Sequence, residues 1–403
     1  MKQLENIFRT IFCLVAFLFA STALAAQELQ TSALDSIDIS LITCTPHEEV
    51  YSLYGHTAIR VNDHRQTVRQ HDGRVAKGQD LVFNYGIFNQ QKPLFALRFM
   101  FGLTDYELGV ASFDGFCNYY RRWGSRVSEQ VVNLTNGEKA QLLQALSDNA
   151  RPENRVYRYN VLYNNCSTRA RDIIIGNIEG RVSYKPHPDD YSPSYRQMIH
   201  EKTAGHPWAA FGNDMLLGVK ADLRTTLEEQ QFLPDHLEYD FARAVIHRPG
   251  EVVPLVSETH EIVAPGLQKI EPEFPLTPTQ CAIVLLVLSL LVFALEWHRR
   301  QTLVGWDVLL MLACGLAGCI VMLMFFSLHP TTSTNLLLLL LNPLPLLYIP
   351  AVARRRRTHY WNVLLSLIVL FFIGGLWQDY AEGMEILALC LLIRYWSHLR
   401  HDK

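Results

Sequence analysis

The chain offers little from which to build a disulfide framework or a metal site. Its 403 residues include eight cysteines, and only Cys44, Cys117 and Cys166 lie between the apolar N-terminal run and the apolar C-terminal third. No C-x-x-C or H-x-x-x-H spacing occurs, which removes the usual zinc patterns. An odd number of exported thiols leaves at least one outside any intramolecular disulfide, and the spacing does not say which. Excess charge of either sign is also missing: 36 basic residues stand against 39 acidic ones, a formal net charge of −3. The basic residues gather chiefly beside apolar segments, so there is no nucleic-acid footprint. No internal repeat is present. No cofactor or metal is expected.

What the chain does contain is a clear division into segments. Lys2 and Arg9 flank the start of an apolar run, Ile11 to Ala20, and Ala23-Leu24-Ala25 fits a small-x-small cleavage site, so residues 1–25 read as a signal peptide. No cysteine sits at that site, which argues against a lipoprotein anchor. Residues 26–248 have ordinary globular composition, and 249–278, rich in proline and glutamate, reads as a linker. Residues 279–403 then carry apolar runs at 281–295, 308–328, 336–352 and 363–376. With their flanks these reach or approach the roughly 20 residues a helix needs to cross a bilayer. A fifth run, 386–396, is marginal because Glu382, Glu385 and Arg394 crowd it. The reading is a transmembrane region of four to five helices with the lipid bilayer as partner. Arg299, Arg300 and the run Arg354 to Arg357 fall on one side if the globular part lies outside.

Within the exported part, alternating patterns predict strands over 37–45, 53–61 and 80–88, with further strand character near 106–110 and 125–134. Thr135 followed by Glu138 marks a capped helix start, and Leu142, Leu143 and Leu146 give its apolar stripe. A second helix is expected from Cys166 to about 175, stopping at Gly176, and several short helices over 190–247. The fold class is α+β with an antiparallel sheet.

Cys166 carries the chemistry. A thiol at a helix start meets unpaired N–H groups and the positive end of the helix dipole, and both favour the nucleophilic thiolate. His56, on a strand after Gly55, is the natural base. Asn84, polar inside an apolar strand, suits the third role of holding the imidazole. His64, His71 and Asp72 lie in a polar stretch that reads as a solvated loop. The plain alternative is that Cys166 is a small core residue and His56 satisfies a backbone carbonyl. Asn164 and Asn165 could lend amides to an oxyanion hole beside the Cys166 N–H, or simply form the turn. Arg169 could meet an anionic group of a substrate or pair on the helix surface, and Tyr163 could line an aromatic cleft with Tyr85, Tyr157 and Tyr159. In the membrane region His329, Asn335 and Asn342 are expected to cap helix ends.

The runs Leu53 to Val61, Phe83 to Phe88, Pro152 to Arg155 and Tyr163 to Asp172 resemble the Lnb N-terminal periplasmic domain family, a bacterial family of exported domains. So do Pro207 to Gly218 with Asp222, and His329-Pro330, Asn335 and Asn342-Pro343. The resemblance implies a multi-pass protein of the bacterial inner membrane with its N-terminal domain in the periplasm. A Gly-His strand, a strand with a polar residue, and Asn-Cys opening a helix are also similar to the circularly permuted NlpC-like and lecithin–retinol acyltransferase-like branch of the papain superfamily. That similarity implies a permuted papain-like fold in which His56 is the base, Asn84 the orienting residue and Cys166 the nucleophile, although that branch often has histidine where Asn84 stands. The expected function is a membrane-anchored thiol hydrolase or acyltransferase. It would act on an amide or ester of a peptidoglycan, lipid or lipoprotein substrate. The rival is a non-enzymatic assembly or maturation factor for another exported protein.

Overall fold

A computed structural model describes residues 34–401 apart from 48–51, 66–67, 70–74, 77–78, 89–90, 92, 189–190 and 268–273. Residues 1–25, expected as a signal peptide, and the pair His71 and Asp72 lie outside the described residues.

Apolar alternation becomes one antiparallel sheet. Its strands are β1 (Ile37–Cys44), β2 (His56–Asp63), β5 (Asp80–Ile87), β6 (Asp105–Ser112), β7 (Val127–Val132), β8 (Val156–Arg158) and β12 (Val256–Val263), in the order β12-β7-β1-β2-β5-β6-β8. Two short strands, β3 (Val68–Arg69) and β4 (Val75–Ala76), pair in the β2–β5 connection, and β9 (Arg181–Ser183), β10 (Val245–Arg248) and β11 (Glu251–Pro254) form a separate sheet. β1 is central and buried on both faces, with Ile39 opposite Val61 and Cys44 opposite His56. Such a strand must be apolar at consecutive positions, and Leu41-Ile42 supplies this.

The helices are α1 (Phe95–Met100), α2 (Phe113–Arg122), α3 (Asn136–Ala150), α4 (Cys166–Ile175), α5 (Tyr195–Thr203), α6 (Pro207–Leu216), α7 (Leu227–Gln230) and α8 (Pro234–Arg243) in the N-terminal part. Leu142 and Leu146 of α3, Ala170 and Ile174 of α4, and Leu237 and Phe241 of α8 cover the sheet face that holds Ile39, Leu41 and Ile59. Phe113, Phe116, Cys117 and Tyr120 of α2 cover the other face, over Ile42, Cys44, Ala58 and Val82. The Thr135–Glu138 capping box forms as expected. Glu138 is buried, and it accepts hydrogen bonds from the N–H groups of Thr135 and Glu179 and from Arg248 at 2.6 Å, which ties α3 to β10. Burial pushes the Glu138 carboxyl up, but these donors outweigh it and hold the group below its ordinary 4.5.

The stretch 249–278, expected as a linker, contains β11 and β12. β12 pairs with β7 at the sheet edge, and most of its residues are exposed, so it lacks the apolar alternation that marks a strand. The architecture is therefore mixed α and β with an antiparallel sheet, as expected.

The C-terminal region comprises α9 (Pro278–Arg299), α10 (Val304–Leu323), α11 (Leu344–Ala353), α12 (Tyr360–Gly374) and α13 (Met384–His401). Among the described residues three segments are long and apolar enough to cross a bilayer, 278–299, 304–326 and 330–353, and α12 is a shorter apolar helix. Of the charges that crowd α13 in sequence, Glu382 and Glu385 are exposed and Arg394 is turned inward. Arg394 is buried and donates to both oxygens of Glu296 and to Asp307, each at 2.7 Å, while Ser397 donates to Glu296 and His398 lies 3.0 Å from Asp307. A buried charge persists in such surroundings only when paired in this way.

Turns and side chains join the two parts. Asn335 caps the turn at 336–339 and donates to the Met215 carbonyl, while Gln378 bonds both Asn335 and the Leu217 carbonyl. Asn342 accepts from the Leu344 N–H, so Asn335 and Asn342 serve as caps. His329 instead donates to the Phe99 carbonyl at 2.9 Å. Within the N-terminal part, Arg196, wholly buried, holds Asp214 and Asp222 at 2.7 Å each and also donates to the Leu217 carbonyl that Gln378 reaches.

Candidate active site

The site forms where β2 begins, β5 ends and α4 starts. Asn165 is the N-cap of α4: its Oδ1 accepts from the Ser167 and Thr168 N–H groups at 2.9 and 3.0 Å, and its Nδ2 donates to the Val161 and Phe232 carbonyls, each at 2.8 Å. Its side chain therefore anchors the helix start and has no hydrogen left for a substrate. The cap does not take the N–H of Cys166, the first residue of the helix.

Cys166 and His56 are both half-buried and hydrogen-bond through their side chains. The Nε2 of His56 lies 2.6 Å from Asn84 Oδ1. An amide oxygen can only accept, so Nε2 carries a proton and Nδ1 is left to face the sulfur. Gly86 lies beside the point where the two groups meet. Its φ is +105, and a Cβ there would lie 3.6 Å from His56 Cε1 and 3.8 Å from Cys166 Cβ. A side chain at this position would have to share the space where the two groups meet, on a backbone that favours glycine.

The electrostatics shift both groups toward their charged forms. Burial pushes the Cys166 thiol up, but the His56 charge and hydrogen bond, the Thr57 N–H and the Ser167 hydroxyl together bring it below its ordinary 9.0. Burial pushes His56 down, and Cys166 together with Asn84 more than restores it, so its pKa rises above 6.5. The other two exported thiols behave oppositely. Burial raises Cys117 to about 11 and Cys44 well above its usual range. All three are free of disulfides.

Thus the expected Cys166, His56 and Asn84 come together. The other expected residues have different neighbours. Arg169 donates through Nε to Asn164 Oδ1 at 2.7 Å and lies over the Tyr157 ring. Tyr163 is exposed and packs edge-on against Tyr195 rather than closing a cleft. Arg171 pairs with Asp172 at 2.7 Å, and His64 pairs with Asp38 at 2.6 Å. Sequence reading missed Tyr120, stacked on His56 with centroids 6.3 Å apart, and Phe116 at 6.4 Å. Both project from α2, and a helix reading of 113–122 would have placed Phe116 and Tyr120 on one face at a spacing of four.

Residues 24–200 match the family described as the Lnb N-terminal periplasmic domain, and residues 269–403 match the Lnb transmembrane domain. The chain belongs to the Lnb family. Comparison with curated proteins and with solved structures gives no significant match. An Lnb periplasmic domain followed by an Lnb transmembrane domain makes this an inner-membrane protein with its N-terminal domain in the periplasm and its C-terminal region in the lipid bilayer. The arginine clusters after α9 and α11 then face the cytoplasm.

Proposed function

We propose that this Lnb protein is a periplasm-facing thiol hydrolase or acyltransferase that acts on an amide or ester of a cell-envelope substrate. The observation that carries the reading is the relay Cys166–His56–Asn84, in which one ring nitrogen is bound to an amide oxygen and the other is directed to sulfur. His56 Nδ1 takes the thiol proton as Cys166 Sγ attacks the carbonyl carbon. The Cys166 N–H, at the positive end of α4, stabilises the oxyanion. Collapse of the tetrahedral species breaks the bond to the leaving amine or alcohol, which receives the proton from His56, and leaves a thioester on Cys166. Water, an amine or a hydroxyl then gives a proton to His56 and attacks the thioester, and the thiol is regenerated. Tyr120 and Phe116 wall the imidazole and limit water access to it.

The order histidine, polar residue, cysteine along an antiparallel sheet, with the cysteine opening a helix, supports a permuted papain-like arrangement. A peptidoglycan peptide, a lipid and a lipoprotein each offer a suitable amide or ester. The test is complementation of a deletion strain by full-length protein. Cys166→Ser and His56→Ala, at normal membrane levels, should lose function. Full function of Cys166→Ser would refute the reading and favour an assembly or maturation role.

A further inference from the structure

The geometry points to α1 as a lipid-contacting element: we infer that Leu94, Leu97 and Leu103 insert among lipids of the periplasmic leaflet. The helix has two distinct sides. Phe95 stacks on Phe88 at 5.5 Å and Phe99 on Tyr159 at 6.1 Å, which docks one side onto the domain that carries the site. Leu94, Leu97 and Leu103 point away and are 72%, 44% and 42% exposed. Arg98 is the one charged residue of the segment 94–103, and its guanidinium is turned back to donate to the Leu103 carbonyl at 3.2 Å.

Its attachment fixes what lies on that open side. The last carbonyls of α1 take their donors from the turn that follows the second membrane span. The Phe99 carbonyl accepts from His329, the Met100 carbonyl from the Ser327 hydroxyl at 2.8 Å, and the Phe101 carbonyl from the Leu328 N–H at 3.0 Å. Gly102 approaches so closely that a Cβ there would be 3.1 Å from Leu328 Cβ. The span 304–326 ends immediately before this turn, and Phe325, Phe326 and Leu328 are themselves exposed. The apolar side of α1 is thus continuous with surface that already faces lipid. At the same end of the bundle Trp377 is 61% exposed beside the junction residue Gln378, a placement typical of the membrane–water boundary. An element pinned at that level with leucines outward gains by entering the acyl boundary and loses by standing in water.

The experiment places benzoylphenylalanine singly at Leu94, Leu97, Leu103 and, as a control, Val252, an exposed apolar residue of β11. The full-length protein is irradiated in nanodiscs of phosphatidylethanolamine and phosphatidylglycerol, and adducts are read by mass spectrometry. Phospholipid adducts at the α1 positions and none at Val252 are expected. Absence of lipid adducts at all three α1 positions, or crosslinks there to a second protein chain in place of lipid, would overturn the inference.

Discussion

His56 Nε2 donates to Asn84 Oδ1 at 2.6 Å, which leaves Nδ1 as the ring nitrogen that faces Cys166. Asn84→Ala would free the ring to rotate and strand a half-buried N–H. The loss of one such hydrogen bond is worth about 1–3 kcal/mol, roughly 5- to 150-fold in rate. Iodoacetamide labelling of Cys166 near neutral pH should slow within that range, and thermal stability should fall by up to a similar free energy. Unchanged labelling would show that the amide does not position the base.

Gly86 borders both base and thiol on a backbone that favours glycine. Gly86→Ala places a Cβ against both His56 and Cys166 on a backbone with φ +105. Strain of this kind costs roughly 1–3 kcal/mol. The melting temperature of the full-length protein should fall and Cys166 labelling should drop with it. A second substitution, Gly205→Ala, adds a Cβ that meets nothing within 4 Å and serves as the neutral comparison.

The strands and the helix around Cys166 were legible because burial on a sheet face imposes period two and helix starts demand caps. Asn165 and Thr135 announce their helices through side chains that can accept backbone N–H groups. The site pair was legible for the same reason, since a cysteine next to a cap is placed by the cap. α2 was hidden because Gly115 interrupts it and Ser112, its cap, is also the last residue of β6. With α2 hidden, nothing indicated that Tyr120 would cover His56. β12 was hidden because an edge strand in contact with solvent need not be apolar. The exposure of Tyr163 was not legible because it depends on the turn geometry of 160–164, where Asn160 and Asn164 pair through their backbones.

Glu138 gives the fold a definite acid dependence. Its folded pKa lies below the unfolded value near 4.5, so its contribution is complete above that value and is lost as pH falls through the folded one. Glu138→Gln should destabilise the protein at neutral pH by about 1–3 kcal/mol, and by less below the folded pKa, as measured by denaturant unfolding across pH. An equal loss at both ends would show that only packing was changed.

Arg394 balances Glu296 and Asp307 inside the membrane bundle. Arg394→Met leaves two buried carboxylates without their partner, a change worth about 3–5 kcal/mol. Detergent-solubilised protein should show a large fall in melting temperature and increased proteolysis. Arg400→Met removes an arginine that lies over Trp297 near the end of the same helix, and should cost far less.

The most direct measurement is the pH dependence of iodoacetamide labelling at the Cys166 peptide, in wild-type protein and in His56→Ala. Because His56 supplies the leading contributions that lower the thiol, the wild-type profile should have its midpoint below the ordinary 9.0, and His56→Ala should move it upward as burial takes over. Coincident profiles for the two proteins, or a wild-type midpoint at or above that of a free thiol, would contradict an activated pair.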